Sequence, residues 1–187
     1  MATAWKAVRA PWLVDDFPES LALKVELLPV IFPVHMIAGG LALLLVPLAI
    51  ALRRYPRWHR PVARIAALDV VVAGLTAFPV ALVAPVTTVS AFGFAAQGLT
   101  WLVLLALGIR HIRAGRTRAH RACMVLMAAT MAGAVVFRVL LALWALAGRV
   151  RHFEAAYAAD AWLAWLLPLT IAAAALKRTG GFRPDPR

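Results

Sequence analysis

Acidic residues and cysteine are both scarce in this chain. Only 8 of its 187 residues are Asp or Glu, against 20 Lys or Arg, for a formal net charge of +12. The single cysteine, Cys123, excludes an intrachain disulfide framework and a cysteine-rich metal site, and it says nothing about redox compartment. Charged residues make up 15% and hydrophobic ones 64%; globular domains carry roughly 25% and roughly 45–50%. Together with a mean hydropathy of +0.83, this disfavours a soluble fold. Also missing are a P-loop, a dinucleotide-binding glycine fingerprint, a nucleophile elbow and an HExxH helix, so no soluble catalytic chemistry is marked and no reaction is assigned. No Gly/Ser-rich linker announces a second domain.

What the chain does have is long apolar runs separated by arginines. A hydrocarbon core of about 30 Å needs about 20 apolar residues in helix. Five segments qualify: about 28–52, 62–84, 89–109, 122–147 and 156–176. None alternates as a barrel strand must, so helix is the expected form. The expected fold is an all-α polytopic integral membrane protein of five transmembrane helices, short links packing the first four as an up-down bundle. The domain reading is an outer interfacial segment over 1–27, a helical membrane domain over 28–177 and a cytoplasmic tail over 178–187. Trp5, Trp12 and Phe17 suit headgroup depth. The mixed charges Lys6, Arg9, Asp15 and Asp16 do not make the charged-then-apolar pattern of a cleavable signal peptide, so the first span is the expected insertion signal.

The bases fall in three clusters: Arg53, Arg54, Arg57, Arg60 and Arg64; Arg110, Arg113, Arg116, Arg118 and Arg121; and Lys177, Arg178, Arg183 and Arg187. They follow spans one, three and five. By the positive-inside rule this predicts a bacterial inner-membrane protein with its N-terminus outside and its C-terminus in the cytoplasm. In a soluble protein such charge would point to nucleic acid. Here it sits at the ends of apolar spans, so anionic lipid headgroups are the expected partner and nucleic acid is not.

Polar groups inside the spans carry whatever chemistry there is, because they are costly there. His35 lies in span one, with Gly39 four residues on removing bulk beside the imidazole, as a flat macrocycle or a closely packed helix would require. Asp69, two turns into span two, is expected in an ion pair with Arg118 or Arg121 reaching down from span four, or in a proton relay. Arg138, far along span four, suits a salt bridge to Glu154, Asp160 or Glu26, or an anion clamp. Gln97 reads as interhelical glue. Met124, Met127 and Met131 form a stripe that is ordinarily core filler, the alternative being a copper-thioether site.

A b-type haem held by helices needs two imidazoles at one depth. His59 and His120 open spans two and four at the same predicted membrane face, each followed by an arginine, Arg60 and Arg121. This His-Arg echo suggests a duplicated hairpin. His35 and His152 form a marginal outer pair. Haem b is therefore the expected cofactor, with His59 and His120 as axial metal ligands, His35 the next candidate, and Arg60, Arg121 and Arg138 anchoring propionates. His-Arg at a helix start equally fits plain headgroup binding.

Taken in order, Phe32, Pro33, Val34, His35 and Gly39; His59, Arg60 and Arg64; Gly93, Phe94, Gln97 and Trp101; His120, Arg121 and Met124; and Phe137 with Arg138 resemble an uncharacterised family of small bacterial polytopic membrane proteins, known only as a domain of unknown function. The resemblance covers about residues 30–140. It implies the helical fold and these candidate residues but no reaction. The chain departs from the pattern at Ala63, where glycine is usual, and at Cys123, where tryptophan is usual. Three functions follow as expectations: a haem-binding electron-transfer protein, with a redox partner; a non-enzymatic accessory or assembly subunit, whose polar residues only join helices; and a small proton-coupled transporter using Asp69 and His35. The transporter would need a homo-oligomer, since 187 residues hold no inverted repeat of broken helices.

Overall fold

The computed structural model describes residues 19–146 and 152–181. Trp5, Trp12 and Phe17 of the expected interfacial segment, Arg149 and Arg151, and the tail from Phe182 lie outside the described residues. Among the described residues the chain is all-α, without strands. The helices are α1 (Glu19–Leu27), α2 (Ile31–Ala51), α3 (Pro56–Leu82), α4 (Thr88–Arg113), α5 (Thr117–Leu146) and α6 (Phe153–Arg178), with a 3-10 turn at Leu52–Arg54 after α2. Five of them, α2 to α6, are long and apolar enough to cross a membrane.

Helices α3 to α6 outrun the apolar windows at their basic ends, whereas α2 stays within its own. α3 begins at Pro56 rather than near 62, with the proline in the first turn, where its missing N–H costs nothing. Arginine and lysine stems lie along apolar surface while their heads stay wet, so the helix continues through the basic residues. At 26 residues, α4 and α6 are about 39 Å long, beyond the about 30 Å of hydrocarbon. The start of α4 is fixed by a reciprocal cap: Ser90 N donates to Thr87 Oγ1 at 3.0 Å and Thr87 N to Ser90 Oγ at 3.2 Å.

The chain forms two compact units, residues 1–98 and 99–187, the border falling inside α4. In the first, α2 packs along α3. Apart from Phe32, the contact is made chiefly by small residues: α2 buries Ala38, Ala42, Val46 and Ala49, and α3 buries Ala66, Val70, Ala73, Gly74 and Ala81. Leu41, Leu44 and Leu48 on α2, and Ile65, Leu68 and Leu75 on α3, are exposed. Small inside and large outside is the reverse of a soluble core and the arrangement of helices solvated by lipid, where close backbone approach supplies the attraction. The start of α4 joins this packing: a Cβ on Gly98 would lie 3.0 Å from Ala77 Cβ and 3.3 Å from Gly74 O.

Part of the segment expected to lie on the outer surface is tied to this unit. α1 buries Val25 in a cluster with Phe32, flanked by Leu28, Met36 and Val80. Lys24 Nζ donates to Val80 O at 2.7 Å and Val83 O at 2.6 Å, capping carbonyls at the end of α3 that have no helical partner. Burial pulls the Lys24 ammonium below its ordinary pKa.

In the second unit α5 packs along α6 with bulkier contacts. α5 buries Ala122, Cys123, Met127, Thr130 and Met131; α6 buries Ala161, Ala164 and Trp165. Two methionines of the stripe are thus core filler. Phe137 meets Tyr157 edge-on, centroids 5.2 Å apart at 88°, fastening α5 to α6. Cys123, at the departure from the family pattern, is buried and free.

Candidate functional site

Three of the expected imidazoles are spent on backbone carbonyls of neighbouring helices. His59 Nδ1 lies 2.8 Å from Ala49 O, joining the start of α3 to the end of α2. His120 Nδ1 lies 2.9 Å from Gly108 O, joining the start of α5 to the last part of α4. His35 Nδ1, on α2, lies 3.1 Å from Ala73 O and 3.2 Å from Thr76 Oγ1, both on α3. A carbonyl only accepts, so Nδ1 carries the proton and donates in each case; in the neutral ring Nε2 then keeps its lone pair. Thr76 passes its own proton to Val72 O at 2.7 Å, so its oxygen is free to accept from His35.

Glycine lies at one of these contacts. A Cβ on Gly108 would overlap Met124 Cε, the far end of a flexible side chain, and would sit in ordinary contact 3.4 Å from Cys123 Cβ and 3.6 Å from His120 Nδ1, so α5 lies close against α4 at this residue. Gly39 is different. Among the described residues, nothing lies within 4 Å of a Cβ built there.

The arginines and remaining polar groups are dispersed. Arg60 is exposed beside His59. Arg138 is exposed and its Nη1 donates to Ala134 O at 2.6 Å on its own helix. Arg121 lines a notch of about 570 Å³ with Arg118, Ala122 and, from the far end of α6, Ala175 and Thr179. Gln97 is half-buried in α4. His111 falls in the last turn of α4, its Nδ1 buried and unpartnered, and His152 occupies the N-cap position of α6 without a side-chain cap hydrogen bond. No group of three His, Cys, Asp or Glu able to hold a metal ion occurs among the described residues.

Among the described residues two carboxyls carry buried oxygens without a hydrogen bond: Oδ2 of Asp69 on α3, and both oxygens of Asp160 on α6. Asp160 is only 6% exposed. It lines a cleft of about 440 Å³ between the end of α5 and the start of α6, with Leu140, Leu143, Trp144, Ala159 and Leu163. Trp144 Nε1 is likewise buried and unpartnered. From the sequence Asp160 is expected only as one possible salt-bridge partner of Arg138. Yet it falls inside the expected span 156–176, and that position is the signal that marks it.

A family model described as predicted membrane protein (DUF2306) matches residues 32–176. No curated protein and no solved structure matches the chain.

Proposed function

The chain belongs to the DUF2306 family of predicted membrane proteins, and we propose that it works as a non-enzymatic accessory or assembly protein of the bacterial inner membrane. The observation that carries this reading is the use of His35, His59 and His120 as clasps. Each spends its Nδ1–H on a carbonyl of an adjoining helix. A clasp of this kind stabilises by about 0.6 kcal/mol on average and up to about 2. The expected test result is that His35→Ala and His120→Ala lower the amount of protein accumulating in the membrane, while the purified wild type is colourless.

The same hydrogen bonds favour one other reading. A ligand imidazole characteristically gives its second N–H to a carbonyl, which fixes the ring and raises the basicity of the free nitrogen. The donor chemistry of His35, His59 and His120 therefore fits b-type haem iron through Nε2, with Arg60, Arg121 and Arg138 as candidates for the propionates. Bound haem would supply one-electron transfer. A Soret band with a reduced α-band in protein from haem-replete cells would establish this reading and overturn the accessory one.

For orientation, the arginines at the ends of α2, α4 and α6 and the starts of α3 and α5 support an outside N-terminus and a cytoplasmic C-terminus. Single cysteines introduced at residues 86 and 115 in a Cys123→Ser background test it. A membrane-impermeant maleimide should label residue 86 in intact spheroplasts and residue 115 only after lysis.

A further inference from the structure

We propose that the cleft between the end of α5 and the start of α6 binds a lipid-soluble molecule with a hydroxyl head, held by Asp160 and Trp144. This goes beyond the accessory reading and does not depend on the histidine clasps.

Three observations meet at this place. Asp160 is 94% buried (6% exposed), and neither carboxyl oxygen has a hydrogen-bond partner. Trp144 Nε1, lining the same cleft, is a buried donor without an acceptor. The rest of the wall is apolar, chiefly Leu140, Leu143, Ala159 and Leu163, and the cleft volume of about 440 Å³ lies in the ordinary range for small-molecule sites. Buried polar groups in folded proteins are nearly always paired, and leaving one unpaired costs more than a made bond returns. An acceptor and a donor left open together need a third group to satisfy both.

The position fixes where that group comes from. Asp160 is seven residues into α6, about 10 Å along the helix axis, and Trp144 is two residues before the end of α5. A helix of 26 residues exceeds the hydrocarbon thickness by about 9 Å in total, so Asp160 sits several ångströms inside the apolar layer. Leu143 and Leu163, 57% and 56% exposed, form the cleft's lipid-facing lip. The ligand therefore enters from the bilayer with a long apolar portion.

Its head follows from the two open groups. A hydroxyl donates its one hydrogen to one Asp160 oxygen and accepts the indole N–H on its own oxygen, so a single group engages both residues. An ammonium could donate to the carboxyl oxygens, but it has no acceptor, so the indole N–H would stay open. A plain hydrocarbon would leave both groups open. Arg138 does not fill the role, since neither Asp160 oxygen accepts a hydrogen bond from it and its Nη1 donates to Ala134 O. Isoprenoid quinols and acylglycerols both carry the required chemistry.

The experiment uses the full chain in phosphatidylcholine nanodiscs, which lack a free hydroxyl, with binding read by native mass spectrometry. The probes are decylubiquinol kept reduced, dioleoylglycerol and dodecylamine. The expected result is a one-to-one adduct with at least one hydroxyl probe, whichever binds identifying the source, and weaker binding of the amine. Asp160→Leu should reduce hydroxyl-probe binding tenfold or more while raising the melting temperature of the ligand-free protein, because it removes an open polar group. A structural aspartate would give the opposite shift in melting. Trp144→Phe should reduce binding about threefold to tenfold. The proposal is overturned by absence of any hydroxyl adduct, by tighter binding of dodecylamine, or by equal binding in wild type and Asp160→Leu. It is also overturned if wild type forms a dimer that Asp160→Leu dissociates, since a second copy would then fill the cleft. Should Asp160→Leu fail to accumulate, Asp160→Asn and Trp144→Phe decide, and unchanged affinity in both overturns it. His35→Ala, by contrast, should leave probe binding intact even where it lowers accumulation.

Discussion

The α2–α3 hairpin and the α4–α5 hairpin close in the same way and are held differently. In each, a histidine near the start of the second helix gives its Nδ1–H to a carbonyl of the first helix, His59 to Ala49 at 2.8 Å and His120 to Gly108 at 2.9 Å. The repeated His-Arg pair in the sequence thus corresponds to a repeated hydrogen bond. The acceptors differ in kind. Ala49 lies in the last turn of α2, where carbonyls lack helical partners, whereas Gly108 lies five residues before the end of α4, where its carbonyl is normally used within the helix. The first hairpin has a deeper clasp in His35 with Ala73 and Thr76. The second instead sets Met124, Cys123 and His120 of α5 close around Gly108. One motif can therefore secure two hairpins while the surrounding packing sets how much each depends on it.

The sharpest way to break the second arrangement is Gly108→Leu. Its side chain must displace Met124 and crowd Cys123 and His120, so about 2–3 kcal/mol of stability should be lost, seen as a large fall in thermal midpoint in detergent. In the first unit Gly98→Ala should cost about 1 kcal/mol by the same measure, because one contact of the new methyl is the Gly74 backbone, which cannot move aside cheaply. His120→Ala should cost about 1 kcal/mol and His59→Ala about half that, the Ala49 carbonyl being near enough to the helix end to find water. Equal losses in the two would show that acceptor position is immaterial. The smallest change is Gly39→Ala, which meets open space and replaces a poor helix former. It should leave stability unchanged or raise it by about 0.5–1 kcal/mol. A loss there would mean that something packs on Gly39 in the membrane.

Much of the fold was legible along the chain, and the candidate site was legible only in part. Apolar windows of spanning length located all five long helices, because a bilayer demands continuous internal hydrogen bonding over a fixed thickness. Their basic ends were misplaced by several residues, since hydropathy cannot see a helix continuing beneath snorkelling arginines. His59 and His120 were singled out from their spacing, but their acceptors were not, because a backbone carbonyl has no signature in a side-chain sequence. Gly39 was expected to admit close packing and Gly108 was passed over, yet Gly108 is the one in tight contact. The two are indistinguishable in sequence, since a glycine's importance lies in what faces it.

The sequence by itself determined the class of this protein, the number and approximate position of its long apolar helices and the segregation of its arginines. Each follows from local composition measured against the thickness and charge of a bilayer. Only the tertiary structure decided which polar groups are satisfied. Lys24 is spent on the end of α3 and Arg138 on its own helix, while Asp160 and Trp144 stay open in one cleft. Pairing depends on which atoms come within about 3 Å, and that is settled by how helices distant in sequence pack together.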